Sequence, residues 1–250
     1  METKRNIQGY LECDGTITRI TSLEDIKAFV AKFGKSVDEI TEFELDKLTE
    51  NNCEKDNPFV DDCGVRYYTN PLRVASVSMP GFENYKVREG TVAICKSAFS
   101  LKNNNLIKAM YLSDSVIVIG PNAFFCNRAL RTLRLPRNLL KIGDGAFYGC
   151  CGLLSVSLPH TLRVIGAKAF EECSMNEMVI PSSVRKVGSH AFRECSKLKE
   201  VTFEGAPEEI NSGIFDRCTS LEKVIVPKGS KDYFTTVLFP LGSDKIVEKL

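Results

Sequence analysis

The sequence predicts an α/β solenoid: a stack of coils carrying short parallel strands, closed by helical segments at both ends. Three observations predict it. A pair Ala-Phe recurs at steps of 22 to 25 residues. A segment Leu-x-x-Val-x-Leu-Pro travels with it in register. The repeat stops short of both termini, where helix signals take over. A coil of this size has one apolar side and cannot bury it alone, so stacking builds the core.

Residues 1–80 are read as an acidic N-terminal cap or appended module. Residues 1–70 hold nine Lys+Arg against fifteen Asp+Glu, whereas 71–250 hold 24 against 17. An acidic head on a basic body gives two unlike surfaces, which could attract each other within one molecule. Tyr10 to Ile20 reads as a hairpin around Asp14-Gly15. Ser22-Leu-Glu-Asp25 and Ser36-Val-Asp-Glu39 look like capping boxes, opening helices over 23–33 and 37–50. Ile26, Phe29, Val30 and Phe33 give the first an apolar face, and Ile40, Phe43, Leu45 and Leu48 the second. Gly34 ends the first. Residues 51–70 are polar and turn-rich, and read as a linker or ordered loop.

Residues 81–229 hold the repeat, six to seven coils of about 23 residues. Phe99, Phe124, Phe147, Phe170, Phe192 and Phe215 mark it. Five residues earlier stand Ile94, Ile119, Ile142, Ile165, Val187 and Ile210. Gly120, Gly143, Gly166 and Gly188 follow, with Cys95 and Asn211 at the two ends. Three residues after the phenylalanine stand Asn127, Cys150, Cys173, Cys195 and Cys218, with Lys102 in the first unit. Leu153-Leu-Ser-Val156-Ser-Leu158-Pro159 is the cleanest strand segment, and Phe82…Tyr85-Lys-Val87 is a degenerate first copy. Alternation of Val-x-Leu points two side chains to one face, as in a strand, and proline ends its ladder.

The full pattern, Leu-x-x-Val-x-Leu-Pro-x-x-Leu-x-x-Ile-Gly-x-x-Ala-Phe-x-x-Cys, resembles the BspA-like, treponemal-type leucine-rich repeat over about residues 82–228. The resemblance implies a right-handed leucine-rich-repeat coil with a parallel sheet on its concave side. It implies a non-enzymatic recognition protein, since many members are bacterial surface or secreted proteins that bind host or neighbouring-cell components. The departures lie at the ends, at Arg88 and Cys95, then at Glu204, Asn211 and Ile214. Terminal repeats are atypical because they cap the stack.

Residues 230–250 read as the C-terminal cap. Ser230 is the expected N-cap of a short helix reaching Leu238, which Pro240 and Gly242 break. Ile246 and Val247 offer a last apolar contact.

Composition narrows the function. Thirty-three basic and 32 acidic residues leave a net charge of +1, so a nucleic-acid partner is not expected. No run approaches the roughly 18 apolar residues of a membrane span. Met-Glu-Thr-Lys-Arg-Asn is not followed by an apolar h-region. The sequence as given therefore reads as cytoplasmic, or as cell-surface or secreted if a leader was trimmed from it. Ten cysteines contain no Cys-x-x-Cys, and with two histidines they form no zinc set, so no metal or cofactor is expected. The repeat cysteines read as a reduced, buried thiol column. Cys53 and Cys63 are the pair to watch in an oxidising compartment. Cys150 and Cys151 read as one core and one surface thiol. His160 and His190 sit at turns with no nucleophile placed beside them. No catalytic residue is assigned, and a hydrolase is the least favoured class.

What remains is the concave face. Residues between the inward positions point out, giving Lys86, Tyr111, Arg134, Ser157, Val179, Thr202 and Ile225. The outward row two earlier gives Asn84, Ala109, Thr132, Ser155, Glu177, Glu200 and Lys223. Lys108 and Arg131 stand at the flanking position before that second row, and Arg128 and Arg137 extend the basic zone to the rims. Arg forks onto carboxylates and Tyr brings rigid area, so this face is the candidate binding site. The expected partner is a protein, with an anionic glycan as the second ligand class. The competing reading is an intracellular scaffold whose acidic N-terminal region is the effector.

Overall fold

The computed structural model describes residues 10–13, 16–19, 28, 41–50, 58–69, 72–77, 82–100 and 107–249. The head opens with an antiparallel hairpin, β1 (Tyr10–Cys13) and β2 (Thr16–Arg19), with Cys13 opposite Thr16 as the Asp-Gly signal requires. Of the expected helix over 23–33 only Ala28 is described, and it is helical; both capping boxes lie outside the described residues. The second helix is α1 (Glu42–Thr49).

The linker expected over 51–70 is corrected in its described part. β3 (Phe59–Val60) and β4 (Val65–Thr69) are strands, and β4 runs antiparallel to β5 (Leu72–Val77). Val65 and Tyr67 point into the core while Arg66 is exposed, which is strand alternation. The acidic turn at Asp61-Asp62 masked that short pattern. Asp61 closes the turn by accepting the Cys63 and Val65 N–H groups.

The repeat builds two ladders of parallel strands. The Leu-x-x-Val segments supply β6 (Asn84–Lys86), β8 (Ala109–Tyr111) and β10 (Thr132–Arg134), then β13 (Glu177–Ile180), β15 (Glu200–Phe203) and β17 (Lys223–Val226). The Ile-Gly segments supply β7 (Ala93–Ile94), β9 (Val118–Ile119), β11 (Lys141–Ile142), β12 (Val164–Ile165), β14 (Lys186–Val187) and β16 (Glu209–Ile210). With β3 to β5 these six form one nine-stranded sheet. The first ladder is split into sheets of three and four strands, because residues 153–159, the cleanest copy in the sequence, form no strand. The break adjoins the one coil that is a residue shorter, where Met175 follows Cys173 after a single residue.

The arcs joining the two ladders carry a third hydrogen-bond system. In the arcs from Asn122 to Glu194, the repeat phenylalanine and the residues two before and two after it donate forward to the next coil. Asn122, Phe124 and Cys126 N–H reach Asp144, Ala146 and Tyr148 oxygens at 2.8, 2.7 and 2.7 Å. The same three positions donate forward from Gly145, Lys168 and His190 onward. The described flanking positions all have positive φ, and most are not glycine: Lys168, Glu172, His190, Glu194 and Arg217 all lie between 57° and 61°. The Ile-Gly glycines answer a different need. A Cβ at Gly188 would meet the Ala167 nitrogen at 2.3 Å, so coil-to-coil approach admits no side chain there.

Two columns fill the interior. The repeat phenylalanine rings stack from Phe99 to Phe215 with centroids 5.1 to 5.8 Å apart. Beside them each repeat cysteine thiol donates to the phenylalanine carbonyl of the preceding coil. The distances are 3.2, 3.3, 3.1 and 3.0 Å for Cys150, Cys173, Cys195 and Cys218. Asn127 does the same to the Phe99 carbonyl at 2.8 Å. Burial pushes these thiols up, to about 12 for Cys218. Cys150 is buried and Cys151 exposed. Cys63 is an exposed free thiol, and Cys53 lies outside the described residues.

α2 (Lys231–Val237) and β18 (Ile246–Glu248) close the C-terminal end. Ser230 is the N-cap residue, yet its hydroxyl bonds to the Pro227 carbonyl instead of capping the helix. Ile246 is buried, and Val247 is exposed.

Candidate functional site

Register settles which open-face residues are neighbours. Lys86, Tyr111 and Arg134 lie side by side on β6, β8 and β10. Val179, Thr202 and Ile225 lie side by side on β13, β15 and β17, and β18 adds Val247 to their row. Adjacent strands sit about 4.8 Å apart, so each row is a contiguous strip. Ser157 belongs to the irregular segment between the two rows and is exposed. Thr202 and Ile225 are half-buried. Ala109, expected on the outward face, is buried between Asn84 and Thr132 of the flanking strands, because its single methyl does not reach past them.

The basic zone is largely compensated by acids that spacing did not reveal. Lys108 Nζ is 2.6 Å from Glu83 Oε1, and Lys86 Nζ is 3.5 Å from Glu89 Oε1. Asp114 Oδ2 holds Arg134 at 3.5 Å and Arg137 at 3.9 Å, and its Oδ1 accepts the Arg137 N–H. Arg131 is exposed and has no ionic partner among the described residues. These surface pairs hold side chains in place more than they add stability.

Exposed apolar area concentrates on the same side. Seven large apolar side chains are exposed among the described residues. Tyr111, Leu154, Val179 and Val247, at 40 to 49% exposure, all belong to the open face or its rim. Val247 was legible only as an apolar contact, since the sequence gives no sign that its strand joins β17.

The opposite ladder is engaged. α1 packs against β7 and β9. Lys141 Nζ, nearly buried, lies 2.8 Å from Asp46 Oδ1 and 3.4 Å from Glu42 Oε2. Lys186 bridges Glu42 and Glu209, and although burial opposes its charge, the carboxylates raise its pKa overall. The acidic head and basic body therefore do attract each other within the molecule. The histidines lie only loosely beside carboxylates, His160 3.8 Å from Glu204 and His190 3.6 Å from Asp216. Among the described residues no group of three or more His, Cys, Asp or Glu could hold a metal, and no helix is long and apolar enough to cross a membrane.

Two strand ladders, a forward-bonded arc and paired phenylalanine and thiol columns define a leucine-rich-repeat solenoid. Residues 75–162 and 118–239 match the family described as BspA type leucine rich repeat region, six copies in all, and the chain belongs to that family. No curated protein matches it. Solved structures share the fold. A leucine-rich repeat protein from Bacteroides ovatus is 23% identical over 70% of this chain and 49% of its own, with a TM-score of 0.54. The pneumococcal vaccine antigen PcpA is 20% identical over 77% and 48%, with a TM-score of 0.65. The T. pallidum leucine rich repeat protein is 24% identical over 69% and 80%, with a TM-score of 0.58. The chain spans about half the length of the first two structures.

Proposed function

We propose that the protein is a non-catalytic recognition module that holds a protein partner against its open face. The observation that carries this reading is the gathering of four of seven exposed large apolar residues on that face, beside the aligned row Lys86, Tyr111 and Arg134. Contiguous exposed apolar area with aromatic and arginine anchors is what protein interfaces use. The strands beneath are fixed by stacking, so binding orders little backbone. Lys108, Arg131, Ser157, Val179, Thr202 and Ile225 complete the proposed contact set. Pairing of the basic side chains with Glu83, Glu89 and Asp114 favours a protein over an anionic glycan. A polyanion would have to displace those carboxylates, and its affinity would fall steeply with salt.

An intracellular scaffold is the second reading. The exposed thiols Cys63 and Cys151 favour a reducing compartment. The vaccine antigen among the fold neighbours supports presentation at a cell surface instead.

The test is capture from cytosolic and envelope fractions of the source cells. Wild type is compared with Tyr111→Ala/Arg131→Glu/Arg134→Glu, after equal folding is shown by circular dichroism. A partner kept by wild type and lost by the variant supports the face, and the fraction it comes from assigns the compartment. Equal retention moves the site elsewhere.

A further inference from the structure

The last coil is left with an open arc. From Asn122 to Glu194, the three arc positions donate their N–H groups to the coil that follows. Gly213, Phe215 and Arg217 hold those positions in the last coil, and their N–H groups have no acceptor among the described residues. A complete further coil is excluded by the cap. α2 lies over the core through Phe234, and β18 already pairs with β17. The vacancy is therefore one segment wide. It continues along β16, which among the described residues pairs only with β14.

We propose that this edge takes a segment of a partner polypeptide, folded as one more rung of the arc. In the stack such donors meet the carbonyls of a chain of tight turns, as Asn122, Phe124 and Cys126 meet Asp144, Ala146 and Tyr148, so a segment folded into those turns matches them. Beside the donors lies a groove of about 200 Å³ whose lining includes Ile214, Phe215, Val237, Leu238, Phe239 and Leu241. It accepts an apolar side chain of the segment, and Phe239, 81% exposed, stands at its mouth. A bare anion fits less well. The Asp216 carboxylate lies 2.5 Å from where a Cβ on Gly213 would stand, so it borders the donors and repels negative charge. This surface is separate from the open face, and the proposal stands without that reading.

The test uses amide exchange and chemical shifts in the full chain. The probe is a capped peptide copying residues 143–149, Gly-Asp-Gly-Ala-Phe-Tyr-Gly, whose Asp144, Ala146 and Tyr148 carbonyls accept from the preceding arc in the intact stack. In the free protein the Gly213, Phe215 and Arg217 amides exchange at least ~100-fold faster than those of His190, Phe192 and Glu194. At millimolar peptide those three amides shift saturably, and acetate or phosphate at equal concentration leaves them in place. Phe239→Asp weakens binding at least ~5-fold without changing the melting temperature. Protection in the free protein, the absence of a saturable shift, equal shifts with the anions, or indifference to Phe239→Asp would each overturn the proposal.

Discussion

The two ends of the stack are closed by opposite devices. At the N-terminal end β5 pairs in parallel with β7, so the cap extends the nine-stranded sheet, and β6 is left as an edge among the described residues. At the C-terminal end β18 pairs in parallel with β17, so the cap extends the other ladder, and β16 is left as an edge. The first cap is polar. Tyr85 donates to Asp61 Oδ2 at 2.5 Å and shares a hydrogen bond with Tyr67, whose phenol burial pushes up to about 12. Arg88 lies over the Phe59 and Tyr67 rings, and α1 is held by Lys141 and Lys186. The second cap is aromatic, with Phe234 against Phe203 at 4.7 Å and Tyr233 bonded to the Pro207 carbonyl. A solenoid must cover its end coils, yet among the described residues each cap pairs with one ladder only. The uncovered edges are where a further chain can pair.

The largest expected effect is at the aromatic cap. Phe234 is fully buried, so Phe234→Ala loses ~3–5 kcal/mol in guanidinium unfolding, mostly independent of salt. A loss below ~1 kcal/mol would mean that the C-terminal cap does not seal the core.

Alkaline pH should separate the ends next. The thiol column runs from Cys150 to Cys218, while Asn127 replaces it on the N-terminal side. Folding raises these pKa values, so their contribution is intact below the unfolded value near 9 and is lost as pH rises toward the folded one, about 12 at Cys218. Each thiol then costs about 1.4 kcal/mol per pH unit in that window. Exchange measured at rising pH should show the C-terminal coils opening first, and simultaneous opening of both ends would contradict the column's role.

The smallest effect is at the polar cap. Lys141→Met should cost about 1 kcal/mol at low salt and less at high salt, because Glu42 and Asp46 are half-exposed. Exchange in α1 reads it directly. A change as large as that of Phe234→Ala would show that ion pairs and not packing close the N-terminal end.

Period and composition made the repeat legible, because each coil must present the same side chains to the next. Ile94, Gly143, Phe170 and Cys195 could each be assigned from one copy to another. The caps were less legible because nothing repeats in them. Val65-Arg-Tyr-Tyr-Thr is too short and too close to acidic residues to stand out as a strand, and Ile246-Val-Glu looks like any tail. The broken ladder at 153–159 was hidden for another reason. Its own residues fit the pattern best, so nothing in them marks the break. On the open face, Lys86, Tyr111 and Arg134 could be aligned by counting, whereas their carboxylate partners depend on loop geometry that spacing does not encode.

The most direct test of the open-face account is a hydrogen-exchange footprint of the protein with and without the captured partner. The account predicts new protection across β8, β10, β13 and β15, with α1 and the nine-stranded sheet unchanged. Protection confined to α1, β9 and β11 would place recognition on the opposite ladder and contradict it.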